Sequence, residues 1–482
     1  MKRLSSLLKN IPHKAELLSE AEISSVCYNS KNAASGSLFV CIKGTKADGH
    51  DFAQSAYDKG SRAFLCERKL PLPPDAVQVV VPDCRAALAD VSAEFFSHPE
   101  KEMKVIGITG TKGKSTVAHM VRHILESSGI KTGLIGTCGI AIGEKHYPTE
   151  NTTPESYELF RALREMVDCG CKCAVMEVSS QAMLMGRVRG IPFFVAVMTN
   201  LSPDHIGPGE HPDFENYKNC KKALFPLAEN AVLNADDSYF GEFSSASRNV
   251  VTYSINSESD FRASDISSLA IALGKSFSVT RGDTSAPVCV PLPGDFSVYN
   301  SLAAIATCSL LGVSIKSCAD SLPTVSVPGR FEIVAVPGSA SFVIDYAHNG
   351  ESLEKAIDAL RECDPARLIC LFGSVGCRTQ LRRKDLGKAA SNADFCIITS
   401  DNPNTEDPEK IIDEIAENVA APYARFADRA DAIKYAVEIS EPGDIVLLAG
   451  KGHENYQLIN GQKLPFCEKE LIIKYLSEKI KV

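Results

Sequence analysis

The chain has 482 residues, enough for about three domains at roughly 150 residues each. Hydrophobic residues make up 44% and charged residues 23%, which excludes a largely disordered chain. Lys plus Arg number 51 against 60 Asp plus Glu, a formal charge of −9, which argues against a general binder of nucleic acid or anionic membrane.

No apolar run approaches the ~18 residues that a membrane span needs. Near the start, Lys9 and His13-Lys14 interrupt the apolar stretch after Met1-Lys2-Arg3, and no signal peptide is read there. The 17 cysteines sit mainly inside apolar runs, as at Cys41, Cys66, Cys370 and Cys396. Buried reduced thiols in a cytoplasmic protein explain them better than a disulfide framework. The cluster Cys169-x-Cys171-x-Cys173 lacks the two-residue spacing and second ligand pair of a zinc site, so it reads as incidental.

Strand-like apolar runs alternate with helical patterns almost throughout, the signature of an α/β fold. Three blocks separate. Residues 1–101 form a smaller N-terminal α/β block, with a strand in Gly36 to Ile42, a strand at Val77 to Val81 and a helix from about Arg85 to Phe96. Residues 102–326 open with the strand Val105 to Thr109, a glycine-rich turn and a helix from about Lys114 to Ser128. Val117, Met120, Val121, Ile124 and Leu125 give that helix one buried stripe, and Gly129 stops it. Strands follow at Cys173 to Met176 and Phe193 to Met198. The Ser-rich stretch from about Ser244 to Ser285 reads as less regular, and a last helix runs from Tyr299 to Leu311. Residues 327–482 read as a second doubly wound, Rossmann-like unit, with strands at Phe342 to Ile344, Leu368 to Phe372, Phe395 to Thr399 and Ile445 to Leu448.

The strongest chemical signal is Gly107-Ile108-Thr109-Gly110-Thr111-Lys112-Gly113-Lys114-Ser115-Thr116. Glycines let backbone N–H groups turn onto phosphate, and the following helix adds partial positive charge at its N-terminus. Lys114 can reach the outer phosphates and the Ser115 hydroxyl can ligate Mg²⁺. Ile108 stands where the strict P-loop has glycine, so the loop is a variant. Glu177 ends the next strand as a hard oxygen donor suited to Mg²⁺. His205, after Thr199-Asn200-Leu201-Ser202-Pro203-Asp204, is a further metal candidate at the same sheet edge. Read from the residues alone, the lysines of Tyr217-Lys218-Asn219-Cys220-Lys221-Lys222 are a solvated helix face.

Together with Val327-Pro328-Gly329-Arg330-Phe331-Glu332, Asp345-Tyr346-Ala347-His348-Asn349 and Gly450-Lys451-Gly452-His453-Glu454, these segments resemble the Mur ligases. Those are the ATP-dependent amino-acid-adding enzymes of peptidoglycan precursor synthesis. Met176-Glu177-Val178-Ser179-Ser180 and the Gly450 to Glu454 segment resemble the branch that adds the third residue to UDP-N-acetylmuramoyl-L-alanyl-D-glutamate. The first block resembles that branch's uridine-binding domain in Asn29-Ser30-Lys31, Gly36 to Val40 and Asp48 to Phe52.

The resemblance implies a central P-loop ATPase-type parallel sheet and a role for each matched position. Gly110 to Thr116, Asn300, Arg330 and Asp345 would hold ATP. Tyr28, Ser30, Thr45, Lys46 and Ala47 would hold the uridine diphosphate, and Asn151, Thr152, Thr153, Ser179 and Arg187 the muramoyl-dipeptide. Arg378, Asp401, Asn402, Pro403, Asn404, Gly450 and Glu454 would recognise the incoming amino acid. Lys221 falls on the lysine that the family carbamylates with CO₂ to N6-carboxylysine. Ser115, Glu177, His205 and carbamylated Lys221 would hold Mg²⁺, and Lys114, Lys221, His205 and Glu177 would be catalytic. The γ-phosphoryl group of ATP would pass to a substrate carboxylate, and the amine would displace phosphate from that acyl phosphate. A cytoplasmic monomer with small-molecule substrates is expected.

Diaminopimelate-adding members carry arginine after Asp-Asn-Pro, where Asn404 stands here. An arginine would pair with the distal carboxylate of meso-diaminopimelate, so Asn404 predicts L-lysine or another diamino acid instead. Gln181, Met185 and Gly350 depart from the family pattern too, which leaves open a diverged paralogue with another acceptor or amino acid. A non-catalytic nucleotide-dependent switch is the rival from another class, and it has little use for Lys221, Asp345 and Glu454 together.

Overall fold

The computed structural model describes residues 1–14, 21–44, 47–207, 210–269, 273–377 and 381–480. It divides into two compact units. One comprises Met1–Arg262 with Ala303–Ser314, the other Ala263–Leu302 with Ile315–Val482.

The first unit begins with a four-stranded parallel sheet, Ser25–Cys27, Ser37–Val40, Ala63–Cys66 and Val77–Val80 in spatial order. Leu38, Phe39, Val40, Phe64 and Leu65 have no solvent-exposed surface, as the unbroken apolar runs of strands covered on both faces require. The helix Cys84–Phe95 packs into the same core. Asp83 caps it by accepting from the backbone N–H of Arg85 and Ala86, two donors that a helix start leaves unpaired.

The larger sheet of this unit is centred on Lys104–Thr109. That strand lies between Cys173–Glu177 and Phe193–Met198, parallel to both. Thr132–Gly136 extends the sheet on the Cys173–Glu177 side, and Ala228–Asn234 and Asn249–Ser254 extend it on the other. The chain runs to one side of Lys104–Thr109 and then crosses to the other, so the end of that strand is a topological switch point. Open α/β sheets bind ligands at such crevices. The register sets Glu177 opposite Ile108 and Met198 opposite Thr109, which delivers Glu177 and Thr199 to either flank of the loop that starts at Gly110. The helix Lys114–Ser127 buries the expected stripe of Val117, Met120, Val121, Ile124 and Leu125.

The Ser-rich stretch is more regular than its composition suggests. It holds the strands Asn249–Ser254, Phe261–Leu269 and Gly274–Arg281, and Gly274–Arg281 forms a hairpin with Thr284–Val290. In that hairpin Phe277, Val279, Ala286, Val288 and Val290 are buried while intervening residues are open to solvent. The period of two, rather than the number of serines, decides the structure. The later helix starts at Asp295, a turn before the expected Tyr299.

The second unit carries a six-stranded sheet in the order Glu332–Ala335, Ser341–Asp345, Ile445–Ala449, Leu368–Phe372, Phe395–Thr399 and Tyr423–Phe426. Only the first pair is antiparallel. The last strand to be made, Ile445–Ala449, inserts between the second and the third. Asp345, Gly450 and Asp401 therefore emerge at one sheet edge. Phe342, Ile344, Ile369, Leu371, Ile397, Val446 and Leu448 form the core beneath them. Asn349, Asp407 and Asp428 cap the helices Gly350–Arg361, Pro408–Ala416 and Arg429–Ile439. Among the described residues, no helix is long and apolar enough to cross a membrane.

Candidate functional site

The phosphate loop of the first unit is tied down before any ligand is considered. The backbone N–H of Thr111 donates to Asn200 O at 2.9 Å. Asn200 also accepts from Lys112 N at 2.9 Å and donates from Nδ2 to Lys112 O at 3.0 Å. Thr199 Oγ1 donates to Lys112 O at 2.6 Å. Gly110 has φ +142°, and a Cβ there would collide with Thr199 Oγ1, so the loop needs glycine both for its backbone and for this close approach. Lys112 pairs with Asp204 at 3.2 Å. Burial alone would raise the Asp204 carboxyl, but Lys112 and His205 outweigh it and hold it below the usual range.

Two amines converge on one carbonyl. Lys114 Nζ donates to Gly110 O at 2.9 Å and Thr111 O at 3.1 Å, and Lys221 Nζ donates to Gly110 O at 2.8 Å. Lys221 is 2% exposed and lies 4.5 Å from the centre of the Tyr217 ring. Burial, and then the charge of Lys114, push its amine well below the usual lysine range. The solvated-face reading of these lysines is thus corrected. Tyr217, Lys218 and Lys221 are all buried, and Lys218 is paired with Glu242 at 2.8 Å and Glu215 at 3.0 Å. Charged side chains go inside when partners compensate them, and burial without such a partner disfavours the charged form.

Ser115 and Glu177 meet directly, Oγ donating to Oε2 at 2.9 Å. Thr137, which the sequence did not flag, donates to Glu177 from its backbone N–H at 2.8 Å and its hydroxyl at 3.2 Å. A Cβ on Gly136 would strike Glu177 Oε1. His205 is not drawn in to the same extent. Its side chain is 59% exposed and its Nδ1 lies 3.2 Å from Glu210. Thr116 is buried in the first turn of the helix, and Gly113 precedes it as the N-cap.

The residues expected to hold the muramoyl-dipeptide cluster beside Glu177. Thr153 Oγ1 donates to Glu177 O at 2.9 Å and accepts from Ser179 N at 3.1 Å. Ser179 caps the short helix Ser180–Leu184, and Thr152 shares a hydroxyl contact with Thr137 at 3.1 Å. Arg187 donates to Thr153 O at 3.0 Å and pairs with Glu155 at 2.9 Å. Glu155 in turn takes Arg85 at 3.1 Å, and neither Glu155 nor Arg85 carried a sequence signal. Asn151 is exposed. Tyr28 donates to Glu158 at 3.0 Å. Ser30 opens a short turn capped by Asn29, and Ala47 O accepts from Gly44 N at 2.9 Å. Thr45, Lys46 and Arg378 lie outside the described residues.

The second unit gathers a different set. Asp345 accepts from Phe331 N at 2.9 Å and Ala347 N at 2.8 Å. Burial raises its carboxyl, and Arg330 works against that rise. The Arg330 guanidinium lies 4.6 Å from the centre of the Tyr346 ring, and His453 stacks on the same ring at 5.1 Å. Burial, then Arg330, push the His453 imidazole down to about 4, so it is neutral at pH 7. Asn300 is buried on the helix Asp295–Leu310.

Asp401, Asn402 and Glu454 meet around Lys451, a residue of the quoted motifs to which the resemblance assigned no role. Lys451 is fully buried. Its amine donates to Asn402 Oδ1 at 3.1 Å and Glu454 at 3.3 Å, with Asp401 Oδ1 at 3.6 Å. Asn402 Nδ2 also donates to Glu454 at 2.9 Å. Gly450 has φ +112°. Pro403 packs its carbonyl against Gly376.

Residues 108–308 match the Mur ligase middle domain, 329–452 the Mur ligase glutamate ligase domain and 22–96 the catalytic domain of the Mur ligase family. A protein of Caldanaerobacter subterraneus subsp. tengcongensis named UDP-N-acetylmuramoyl-L-alanyl-D-glutamate–2,6-diaminopimelate ligase is 39% identical, over 99% of this chain and 100% of its own. One of the same name from Clostridium botulinum is 38% identical, over 98% and 99%. A solved structure of a ligase with that name superposes with a TM-score of 0.72 at 27% identity, over 99% of this chain and 100% of the other. A MurF ligase from Thermotoga maritima in complex with ADP shares the fold, with a TM-score of 0.63 at 18% identity, over 96% and 98%.

The first three of these overturn the expectation of lysine over diaminopimelate, since each is named for 2,6-diaminopimelate. The structure gives the physical reason why Asn404 misled. Its backbone is left-handed, with φ +56°, a region asparagine enters more readily than most residues. Its N–H donates to Leu458 O at 2.8 Å, its carbonyl accepts from Asn460 N at 2.6 Å and its Oδ1 accepts from Gly461 N at 3.1 Å. The turn thus gives asparagine a backbone reason to stand at 404, apart from the tail of the amino acid. With its length matched from end to end by such relatives, the chain belongs to the Mur ligase family, ATP-dependent enzymes that join an acid to an amino acid.

Proposed function

We propose that the chain adds 2,6-diaminopimelate to UDP-N-acetylmuramoyl-L-alanyl-D-glutamate, cleaving ATP to ADP and phosphate. The observation that carries the substrate choice is the 39% identity along 99% of the chain to a relative named for that reaction. The geometry of the first unit supports the chemistry. A carboxylate must be brought to the γ-phosphorus of ATP, and both are anions. Lys114 and Lys221 place two amines at the mouth of the phosphate loop, where an arriving phosphate replaces Gly110 O as the partner of Lys114. The substrate carboxylate oxygen attacks the γ-phosphorus and the bond to ADP breaks. The amine of the amino acid then attacks the acyl carbon, phosphate leaves and the amine sheds its proton. Nucleophile and leaving groups all belong to the substrates, so the residues act by orientation and charge.

The donors present suit Mg²⁺. The Ser115 hydroxyl and the Glu177 carboxylate already face each other, and both are hard oxygen ligands. His205 and the carbamate on Lys221 would hold one Mg²⁺, with Ser115 and Glu177 helping to hold the metals. Mg²⁺ supplies charge neutralisation on the phosphoryl oxygens. Lys221 suits carbamylation, because burial and then the charge of Lys114 push its amine well below the usual lysine range and so favour the uncharged form. A neutral amine adds CO₂ and releases one proton, giving an anionic oxygen donor where an ammonium would repel metal.

We assign 1–101 to the uridine diphosphate, 102–326 to ATP and the dipeptide, and 327–482 to the amino acid. In that assignment Asp401, Asn402, Pro403, Asn404, Gly450 and Glu454, with Arg378, are the residues that would recognise the amino acid. We further assign the enzyme to the cytoplasm as a monomer, with sedimentation at assay concentration as the check on the latter.

The test is phosphate release from ATP with UDP-muramoyl-dipeptide and a panel of meso-diaminopimelate, lysine and ornithine. Diaminopimelate is expected to give the highest kcat/KM, and release that needs no amino acid overturns the reading. Lys221→Ala should lose about 10²-fold or more in kcat, and added bicarbonate should not restore it. Full turnover in that variant removes the carbamate from the mechanism.

A further inference from the structure

His211 is 1% exposed, and the sequence motifs gave it no role. Its Nδ1 lies 2.7 Å from Asn216 Oδ1 and its Nε2 2.8 Å from Ser180 Oγ. With the Asn216 oxygen accepting, Nδ1 carries the proton and Nε2 accepts the Ser180 hydroxyl. The imidazole thus spans two elements. Ser180 is the first residue of the helix that follows Glu177-Val178-Ser179. Asn216 lies in the first turn of the helix Phe214–Lys222, which carries Lys221.

Three further contacts make His211 a junction. Its backbone N–H donates to His205 O at 3.0 Å, and its carbonyl accepts from Gly207 N at 3.1 Å, closing the segment that starts at His205. Its ring meets Tyr217 edge-on with centroids 5.3 Å apart. Tyr217 in turn shares a hydroxyl contact with Thr111 of the phosphate loop at 3.1 Å, and its face lies under the Lys221 amine. Glu177 and Lys221 therefore lie on or beside segments that this ring braces, and the His211 backbone ties in His205.

We propose that His211 is a positioning residue, setting the mutual placement of the Glu177–Ser180 segment and Lys221 through its bonds to Ser180 and Asn216. Two neutral hydrogen bonds from one rigid ring fix both distance and angle, which apolar packing alone does not. The proposal rests on the ligase reading for its kinetic arm, while its binding arm stands apart from turnover.

The experiment compares the full chain with His211→Ala, His211→Gln, Ser180→Ala and the double variant His211→Ala/Ser180→Ala. Thermal unfolding confirms that each is folded, and His211→Gln keeps a hydrogen-bonding group if the alanine variant fails. A displacement of about 1 Å at the reacting groups costs ~10²-fold, so kcat of His211→Ala should fall by that order, with KM for ATP changed less than about threefold. His211→Gln should recover much of the loss. Ser180→Ala should cost less, and should add little in the His211→Ala background, as shared action through one bond requires. Binding of ADP, titrated against Mg²⁺ with no muramoyl substrate present, should need ~10-fold or more Mg²⁺ in His211→Ala. A wild type that makes no ADP sinks the ligase reading and the kinetic arm with it. An active wild type with unchanged kcat and unchanged Mg²⁺ dependence in a folded His211→Ala overturns the positioning role alone.

Discussion

The two units bring charge together in opposite ways. In the first, Lys114 and Lys221 are both aimed at one backbone carbonyl, and burial, then the charge of Lys114, push the Lys221 amine down. In the second, Lys451 is fully buried but sits among Asp401, Asn402 and Glu454, and Arg429, also fully buried, is matched by Glu468 at 2.8 Å. The first arrangement turns two amines and a loop of backbone N–H groups toward one point. The second sets two cations, Lys451 and Arg429, among three carboxylates, Asp401, Glu454 and Glu468, and ties them to one another. Positive charge at a loop of backbone N–H groups is what phosphate binding needs. A cross-linked polar network in a dry site serves orientation.

The largest effect that separates the two is Lys114→Ala. Lys114 donates to the backbone carbonyls of Gly110 and Thr111, so removing its amine takes positive charge from the loop. ADP formation should fall by about 10²–10³-fold or more, while unfolding stability stays within about 1 kcal/mol of wild type. Assay of ADP alongside urea unfolding checks both halves. An enzyme that keeps its turnover without Lys114 breaks the comparison at its first term.

Lys451→Met should do the reverse. It leaves Asp401 and Glu454 without their shared cation, and stripping one partner from a buried charge group costs about 3–5 kcal/mol. Urea unfolding should show that loss, and the surviving folded enzyme should need more amino acid for half-maximal rate. A variant as stable as wild type would mean that the network is not what holds this sheet edge together.

The same contrast explains what the sequence could show. The phosphate loop is contiguous, and its strand–turn–helix setting is written in the apolar pattern around it, so Gly110 to Ser115 are legible together. Glu177 is legible as a carboxylate at a strand end, since strand order makes that end a ligand edge. Thr137 and His211 are not legible, because their meaning lies in contacts to Glu177 and to Ser180 far along the chain. Lys221 reads as surface from its neighbours alone, since a lysine's burial depends on which face of its helix the sheet covers. Asn404 shows the opposite failure. A turn demanded asparagine for its backbone, and the side chain was read as substrate chemistry. The Ser-rich stretch failed in the same way, composition masking an alternation that the hairpin requires.

The smallest expected effect is one of pH, and it lies beside the second site. Arg383, 1% exposed, donates to Glu406 from both terminal nitrogens at 2.9 and 2.7 Å, and to Glu414 at 2.7 Å. Arg383, first by hydrogen bonds, and the N–H of Cys377 hold the Glu406 carboxyl down to about 2, from an ordinary 4.5. A carboxyl whose pKa is lower folded than unfolded stabilises the fold fully above the unfolded value, and that share disappears as protons bind the folded state. The contribution of Glu406 is therefore complete above pH 4.5 and is lost progressively as pH falls toward about 2. Glu406→Gln removes this titration but leaves Arg383 paired with Glu414. Urea midpoints measured from pH 6 down to pH 3 should fall less steeply in the variant than in wild type, and the two should differ most at the upper end of that range. Parallel curves would show that the pair is screened by solvent despite its geometry, and that the tightly paired character of the second unit ends at its buried residues.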